Sequence, residues 1–290
     1  MIQSAEFPLI SVIIPAYNHE QFVCVALDSA RQQTYPNIEI LIIDDGSTDA
    51  TAARISEWIG QHQNEVSVNF LKRENRGVTT TLNELIDRSN GNYIATLASD
   101  DCLLPNSLLH RYGYLQENPQ KMAVFGDSIV IDSRGNEIYK SAIAEVFAGN
   151  KEKYLTDSGL RREIIQNWSI PGSCLMVHRS LYQQFRYDER LQVEDRDFYL
   201  KMVSEDLLGF IEYPVAAYRV HETNVSQKGK NDFIGSVNKF KSLTSNINSF
   251  SYRDRLLFIK PILSSFFGIV VHFSAKQFRK CSVKQETSQK

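Results

Sequence analysis

Through about the first 100 residues, apolar runs rich in β-branched side chains alternate with stretches of helical periodicity. That alternation admits few architectures. LISVIIP (Leu9–Pro15), IEILII within IEILIIDDGSTD, VSVNFLKRE and YIATLA read as strands. Between them, EQFVCVALDSARQQ places Phe22, Val25, Ala26 and Ser29 on one helical face, and TAARISEWIGQH and VTTTLNELIDRSNG continue the series. The last of these is expected to end at Gly91, in a left-handed cap. Strands separated by helices of this length lie parallel, with crossover helices covering both faces, so the fold class is α/β.

In open sheets of this kind, ligands bind beyond the carboxyl ends of the strands. Three of the ends are polar: PAYNHE after the first strand, DDGSTD after the second, SDD after the fourth. All three are expected at one rim. PAYNHEQF contains no glycine, which removes both the G-x-G-x-x-G dinucleotide turn and the G-K-[ST] phosphate loop.

The acids in those ends pose a physical problem. Asp100 and Asp101 follow an apolar run, and adjacent carboxylates repel unless a cation or donor groups meet them. In DDGSTD, Gly46 permits a turn and Ser47 or Thr48 can cap the next helix, with Asp49 favourable in its first turn. One helix start does not need three acids. Further on, in LQVEDRDFYLKM, Asp195, Tyr199 and Met202 recur as along one helical face.

The formal charge of −2 hides an asymmetry, because residues 228–290 hold twelve Lys/Arg and three Asp/Glu, a local +9. Within them, LLFIKPILSSFFGIVVHF (Leu256–Phe273) is apolar, interrupted by Lys260, Pro261, Ser264 and Ser265, and flanked by Arg253, Arg255, Lys276, Arg279 and Lys280. This reads as a segment lying in a bilayer interface against anionic lipid, or as a helix packed on the body or on a second subunit. No run of about 20 uninterrupted apolar residues is present, which argues against a spanning helix. The N-terminus lacks the marks of a signal peptide, and Cys24, Cys102, Cys174 and Cys281 are scattered, so a reducing, cytoplasmic setting is expected.

SVIIPAYNHEQFVCVALDSARQQTYPNIEILIIDDGSTDAT, ENRGVTTTLNELIDRSNGNYIATLASDD, LQVEDRDFYLKM and AAYRVHETNVS occur in an order that closely resembles family 2 glycosyltransferases of the GT-A fold. The resemblance covers roughly residues 8–227. It implies a GT-A domain over 1–227, with a nucleotide-sugar half at about 8–110 and an acceptor half at 111–227, followed by a basic helical tail at 228–290.

By position, Pro15 and Tyr17 would line the base pocket, and one or both of Asp44 and Asp45 would contact the uridine. Arg76 and Asn83 would fall near the donor. Ser99-Asp100-Asp101 matches the motif that holds Mg²⁺ or Mn²⁺ against the donor diphosphate, although Ala98 stands where many relatives carry another aspartate. Hard divalent ions favour such oxygen ligands and typically keep several waters. Asp195 is expected to be the general base, with Glu194 supporting it or contacting the acceptor. His221 would be a further metal or diphosphate contact, and Arg219 a phosphate contact. Trp168 would stack on an acceptor sugar, with Gly172 allowing close approach.

The implied activity is inverting, metal-dependent transfer of one sugar from a nucleotide sugar to a glycan acceptor. With the tail, it suggests a lipid-linked acceptor at the inner face of a bacterial cytoplasmic membrane, in O-antigen or capsule assembly, and no nucleic-acid partner. A processive synthase would carry Gln-x-x-Arg-Trp and several spanning helices, and a nucleotidyltransferase a Gly-rich first loop; the sequence has none of these. The remaining alternative is a nucleotide-sugar-binding or scaffold protein without catalysis.

Overall fold

The computed structural model describes residues 7–191, 195–222 and 233–287, with side chains as far as His272. Strands β1 (Ile10–Ala16), β2 (Ile38–Asp45), β3 (Ser67–Arg73) and β4 (Tyr93–Thr96) alternate with helices α1 (Val23–Arg31), α2 (Thr51–His62) and α3 (Val78–Arg88). The strands are parallel in the order β3-β2-β1-β4, with Val12 paired to Ile40 on one side and to Ala95 on the other. Val12, Ile14, Ile40 and Ile42 are fully buried, as befits strands covered on both faces.

The chain then runs through β5 (Cys102–Leu103), α4 (Ser107–Glu117), β6 (Ala123–Ile131), β7 (Glu137–Tyr139), α5 (Asp157–Gln166), β8 (Met176–His178), α6 (Leu181–Gln184), α7 (Asp195–Ser204) and β9 (Leu208–Arg219). These strands extend the same sheet as β4-β8-β6-β9-β5. β8 lies antiparallel to β4, so the sheet is parallel in its first half and mixed beyond. The two halves therefore share one sheet.

Two local expectations are corrected. In α1 the core face is Val23, Ala26, Leu27 and Ala30, while Val25 is exposed and Ser29 donates back to Ala26 O. The helix begins only at Val23, so its inward face is rotated from the expected one. Helix α3 stops at Arg88, and Gly91 does not take a left-handed conformation. Gly91 serves close approach: a Cβ there would lie 2.6 Å from both Ser11 N and Ser11 Oγ.

Helices α8 (Phe233–Asn246) and α9 (Tyr252–Thr287) follow. Leu243, Phe250 and Phe258 are buried in the main core, and Asn246 Nδ2 donates to Asp197 Oδ1 of α7 at 2.7 Å. The start of the basic tail is thus part of the packed body. Lys260 and Pro261 do not interrupt α9, and Tyr252–His272 is by length and composition apolar enough to cross a membrane, contrary to the expectation from its interruptions. Its outward residues Leu256, Ile259, Leu263, Phe266 and Phe267 are each more than half exposed.

Candidate active site

The polar ends of β1 and β2 interlock. Asn18, in a left-handed conformation (φ 55°), donates its backbone N–H to Ser47 Oγ at 2.9 Å and accepts Thr48 N at 2.8 Å. His19 N donates to Thr51 Oγ1, Glu20 N donates to Asp49 Oδ2, and Glu20 Oε2 accepts Ala50 N. Asp49, rather than Ser47 or Thr48, serves the start of α2, its Oδ1 accepting Thr51 N at 3.0 Å.

At the same rim stand Pro15, half-buried, and Tyr17, exposed, beside Asp44, which pairs with Ala16 across the strands. The two acids of β2 differ sharply. Asp45 accepts from the Arg73 guanidinium and from the Arg76 and Gly77 amides, so its carboxylate organises the β3–α3 loop. Asp44 accepts Ser47 N through Oδ1, while its buried Oδ2 has no partner among the described residues. A buried carboxylate oxygen without a donor is costly. Arg76 is exposed at the loop tip. Asn83 is turned to the second half, donating to Tyr187 O and Glu189 Oε1.

The adjacent acids Asp100 and Asp101 also divide. Asp101 is buried and faces inward: Oδ2 accepts from Ser173 Oγ at 2.6 Å and Oδ1 from Arg219 N at 2.9 Å. Burial pushes its carboxyl up, and the charge of Asp100 adds to this, to about 8. Both Asp101 oxygens are taken up by Ser173 and Arg219, an arrangement that braces the turn. Burial also pushes Asp100 up, but the His221 hydrogen bond and the charges of His19 and His221 outweigh it and hold the group below the usual carboxylate range. Asp100 thus keeps its charge at neutral pH.

That charge meets two imidazoles. His221 Nε2 is 3.0 Å from Asp100 Oδ2 and His19 Nε2 is 3.7 Å from it, and one donor atom from each of the three residues lies within 4.8 Å of the others. His19 Nδ1 is fixed by Ser99 Oγ at 2.8 Å. Burial holds His19 below its ordinary value, assisted by the His221 charge and opposed by Asp100, so the ring is a neutral donor at pH 7. A carboxylate and two imidazoles, one oriented from behind by a hydroxyl, suit a divalent cation.

Arg219, expected at a phosphate, is instead buried: Nε donates to Asp100 O, NH1 to Asp132 O, and the guanidinium covers the Phe22 ring at 5.0 Å. It positions the acid turn. His19 was missed in the sequence because a single histidine in a turn carries no spacing signal.

In the second half of the chain, Asp195 opens α7 and is half-buried, and desolvation raises its carboxyl to about 6. Glu194 lies outside the described residues. Gly172 is exposed, and a Cβ there would lie 3.8 Å from Asp195 Oδ2, so open space stands before the carboxylate. Trp168 is half-buried, its ring packed edge-on against Tyr199 at 5.0 Å, one turn along α7 from Asp195.

Comparison with known proteins gives the family and the fold. The family description "Glycosyl transferase family 2" matches residues 11–186. An uncharacterized glycosyltransferase of Rickettsia typhi is 26% identical over 280 residues, covering 95% of this chain and 83% of its own. Another from Haemophilus influenzae is 29% identical over 255 residues, covering 88% and 92%. Among solved structures, S. aureus TarS 1–349 in complex with UDP-GlcNAc superposes with a TM-score of 0.65 at 16% identity, over 89% of this chain and 72% of that one. The mannosyltransferase PcManGT of Pyrobaculum calidifontis, in complex with GDP-Man and Mn²⁺, gives 0.68 at 16%, over 93% and 74%. These neighbours share the GT-A fold. Because the family match spans more than half of its length, the chain belongs to glycosyl transferase family 2 and is a glycosyltransferase.

Proposed function

We propose that the chain is an inverting, divalent-cation-dependent transferase that moves one sugar from a nucleoside diphosphate sugar to a hydroxyl of a lipid-linked glycan, in the assembly of a bacterial surface polysaccharide such as O-antigen or capsule. The observation that carries this reading is the arrangement of Asp195 and the Asp100–His19–His221 cluster about one short turn. Gly172 faces Asp195, and Ser173 binds Asp101, the neighbour of Asp100.

Asp195 takes the proton of the acceptor hydroxyl as that oxygen forms its bond to the anomeric carbon from the open space before Gly172. The bond from that carbon to the donor phosphate breaks, and the nucleoside diphosphate leaves with the electron pair. A carboxyl raised to about 6 is still ionised at neutral pH and is a better base than an exposed aspartate. Asp100, His19 and His221 are the residues that would hold Mn²⁺ or Mg²⁺, the nitrogen-rich set favouring Mn²⁺. When bound, the ion supplies Lewis-acid neutralisation of the departing diphosphate. Asp44 Oδ2, without a partner among the described residues, supports a uridine donor, whose imide N–H or ribose hydroxyls would satisfy it. The exposed apolar ridge of α9 supports a site of action at the membrane surface.

The test is a panel of nucleotide sugars assayed for hydrolysis and transfer, with and without EDTA. Cation-dependent turnover of a uridine sugar, inverted at the anomeric carbon, is expected. Donor binding without turnover of any candidate would instead favour the non-catalytic alternative.

A further inference from the structure

Helices α5, α8 and α9 enclose a cleft of about 300 Å³ whose wall carries three lysines, Lys153, Lys239 and Lys260, and one acid, Glu163. Glu163 is already engaged, binding the Lys153 ammonium at 2.9 Å through Oε1 and accepting Asn167 Nδ2 through Oε2. Neither Lys239 nor Lys260 has an acidic partner within salt-bridge distance among the described residues. Lys239 is half-buried, and desolvation, reinforced by the charge of Arg196, holds its ammonium below the usual range. A desolvated cation beside other cations is favourable only when an anion joins it.

The cleft also borders an apolar surface. At ~100° per residue, Lys260 and Ser264 stand roughly 60° and 100° around α9 from Leu263, at the flank of the ridge formed by Leu256, Ile259, Leu263, Phe266 and Phe267. Lys260 and Ser264 are themselves exposed, so the cleft opens beside that ridge. On its other flank the lining residue Asn167 is followed directly by Trp168, whose ring packs on Tyr199 of the Asp195 helix. Cationic cleft and apolar ridge are thus neighbours on α9.

We propose that this cleft binds the terminal phosphate or pyrophosphate of a lipid, the anion held by Lys239 and Lys260 and the chain lying along the α9 ridge. Three lysines against one carboxylate leave two positive charges, which match a phosphomonoester or pyrophosphate carrying roughly two negative charges at neutral pH. A phosphodiester headgroup brings only one. The binding does not rest on the transferase reading above, whose acceptor is a glycan hydroxyl.

The experiment is vesicle binding by the full chain without donor. Neutral phosphatidylcholine vesicles carry either an isoprenoid phosphate or, at matched charge, phosphatidylglycerol. Wild type should bind the phosphomonoester vesicles at least about tenfold more tightly, since the more highly charged headgroup meets both Lys239 and Lys260. Lys239→Gln with Lys260→Gln should erase that preference while keeping phosphatidylglycerol binding. Ser264→Glu, which adds a negative charge at the exposed mouth, should do the same if the double variant folds poorly by thermal melt. Equal affinity of wild type for the two vesicles overturns the proposal, as does an unchanged preference in the variants. Displacement by micromolar inorganic pyrophosphate would assign the cleft to a free phosphate and overturn the lipid assignment. Wild-type turnover with a soluble acceptor is measured in parallel. Its absence would sink the transferase reading and leave the binding result standing.

Discussion

Ser173 Oγ donates to Asp101 Oδ2 at 2.6 Å while accepting the Ala98 N–H at 2.9 Å. One hydroxyl thereby ties the end of the fourth strand to the Gly172–Cys174 turn, across 72 positions of sequence. Fully buried Arg111 holds the same turn from beneath, donating to the Cys174 and Leu175 carbonyls. Ser173→Ala is expected to lower stability by about 1–3 kcal/mol, since it strands the buried Asp101 carboxyl and the half-buried Ala98 amide. Chemical denaturation measures this. A loss within experimental scatter would remove Ser173 as the brace.

The different states of the two adjacent acids give opposite expectations for conservative substitution. Asp101 spends both oxygens on Ser173 Oγ and Arg219 N, so Asp101→Asn should change Mn²⁺ affinity by less than about threefold. Asp100→Asn removes the charge that both imidazoles face, and His19→Ala removes a donor atom; each should weaken Mn²⁺ at least about tenfold. Titration followed by Mn²⁺ electron paramagnetic resonance separates these outcomes without any assay of turnover. A larger loss from Asp101→Asn than from Asp100→Asn would exchange their roles.

Much of this was legible in the chain. Periodicity gave the parallel half, and the polar strand ends did meet at one rim, because a strand terminus is a local signal and parallel strands align their termini. What local pattern does not carry is which side of a turn faces in. Asp100 and Asp101 look equivalent in sequence; Ser173 and Arg219, 72 and 118 positions away, make one of them inward-facing. His19 acquires its meaning only where β1 and β4 lie side by side, 80 residues apart. In the tail, Lys260 and Pro261 read as interruptions, although a helix tolerates both once its inner face, Phe258 and Pro261 among them, is packed.

Gly91 illustrates the same limit and yields a stability prediction. Its lack of a side chain admits the neighbouring strand, so Gly91→Ala forces a Cβ to within 2.6 Å of Ser11 N. Overpacking of this kind typically costs about 1–3 kcal/mol. A left-handed cap would instead make Gly91→Asn nearly neutral. Comparing the two variants by thermal melt decides between the readings.

Because Phe258 belongs to the core and packs its ring on Phe250, removing the whole of α9 would test folding rather than membrane binding. Substituting the exposed ridge is the cleaner probe. Leu263→Ser, Phe266→Ser and Phe267→Ser together should leave the melting temperature unchanged within about 2 °C, as surface changes usually do. They should weaken binding to phosphatidylglycerol vesicles at least about tenfold, given ~1.5–3 kcal/mol for each large apolar side chain taken from water. Undiminished vesicle binding would return the ridge to a protein partner.

Asp195 makes a prediction in which the sign is fixed by its environment. Desolvation lifts its carboxyl to about 6, and as a base it acts only when ionised. Turnover should therefore be flat above about pH 7 and fall toward a tenfold loss per unit as pH drops below about 6. An unperturbed aspartate, with a pKa of about 3.9, would leave the rate flat down to about pH 5. Asp195→Asn should lower kcat by about 10²–10⁴ and abolish that acid limb, with nucleotide affinity intact because, on the proposed reading, the donor is held at the ends of β1 and β2 and not by α7. The affinity readout matters: a variant that had lost its fold would lose kcat and donor binding together. If the acid limb persists in Asp195→Asn, or wild type shows none above pH 5, proton transfer belongs to another group.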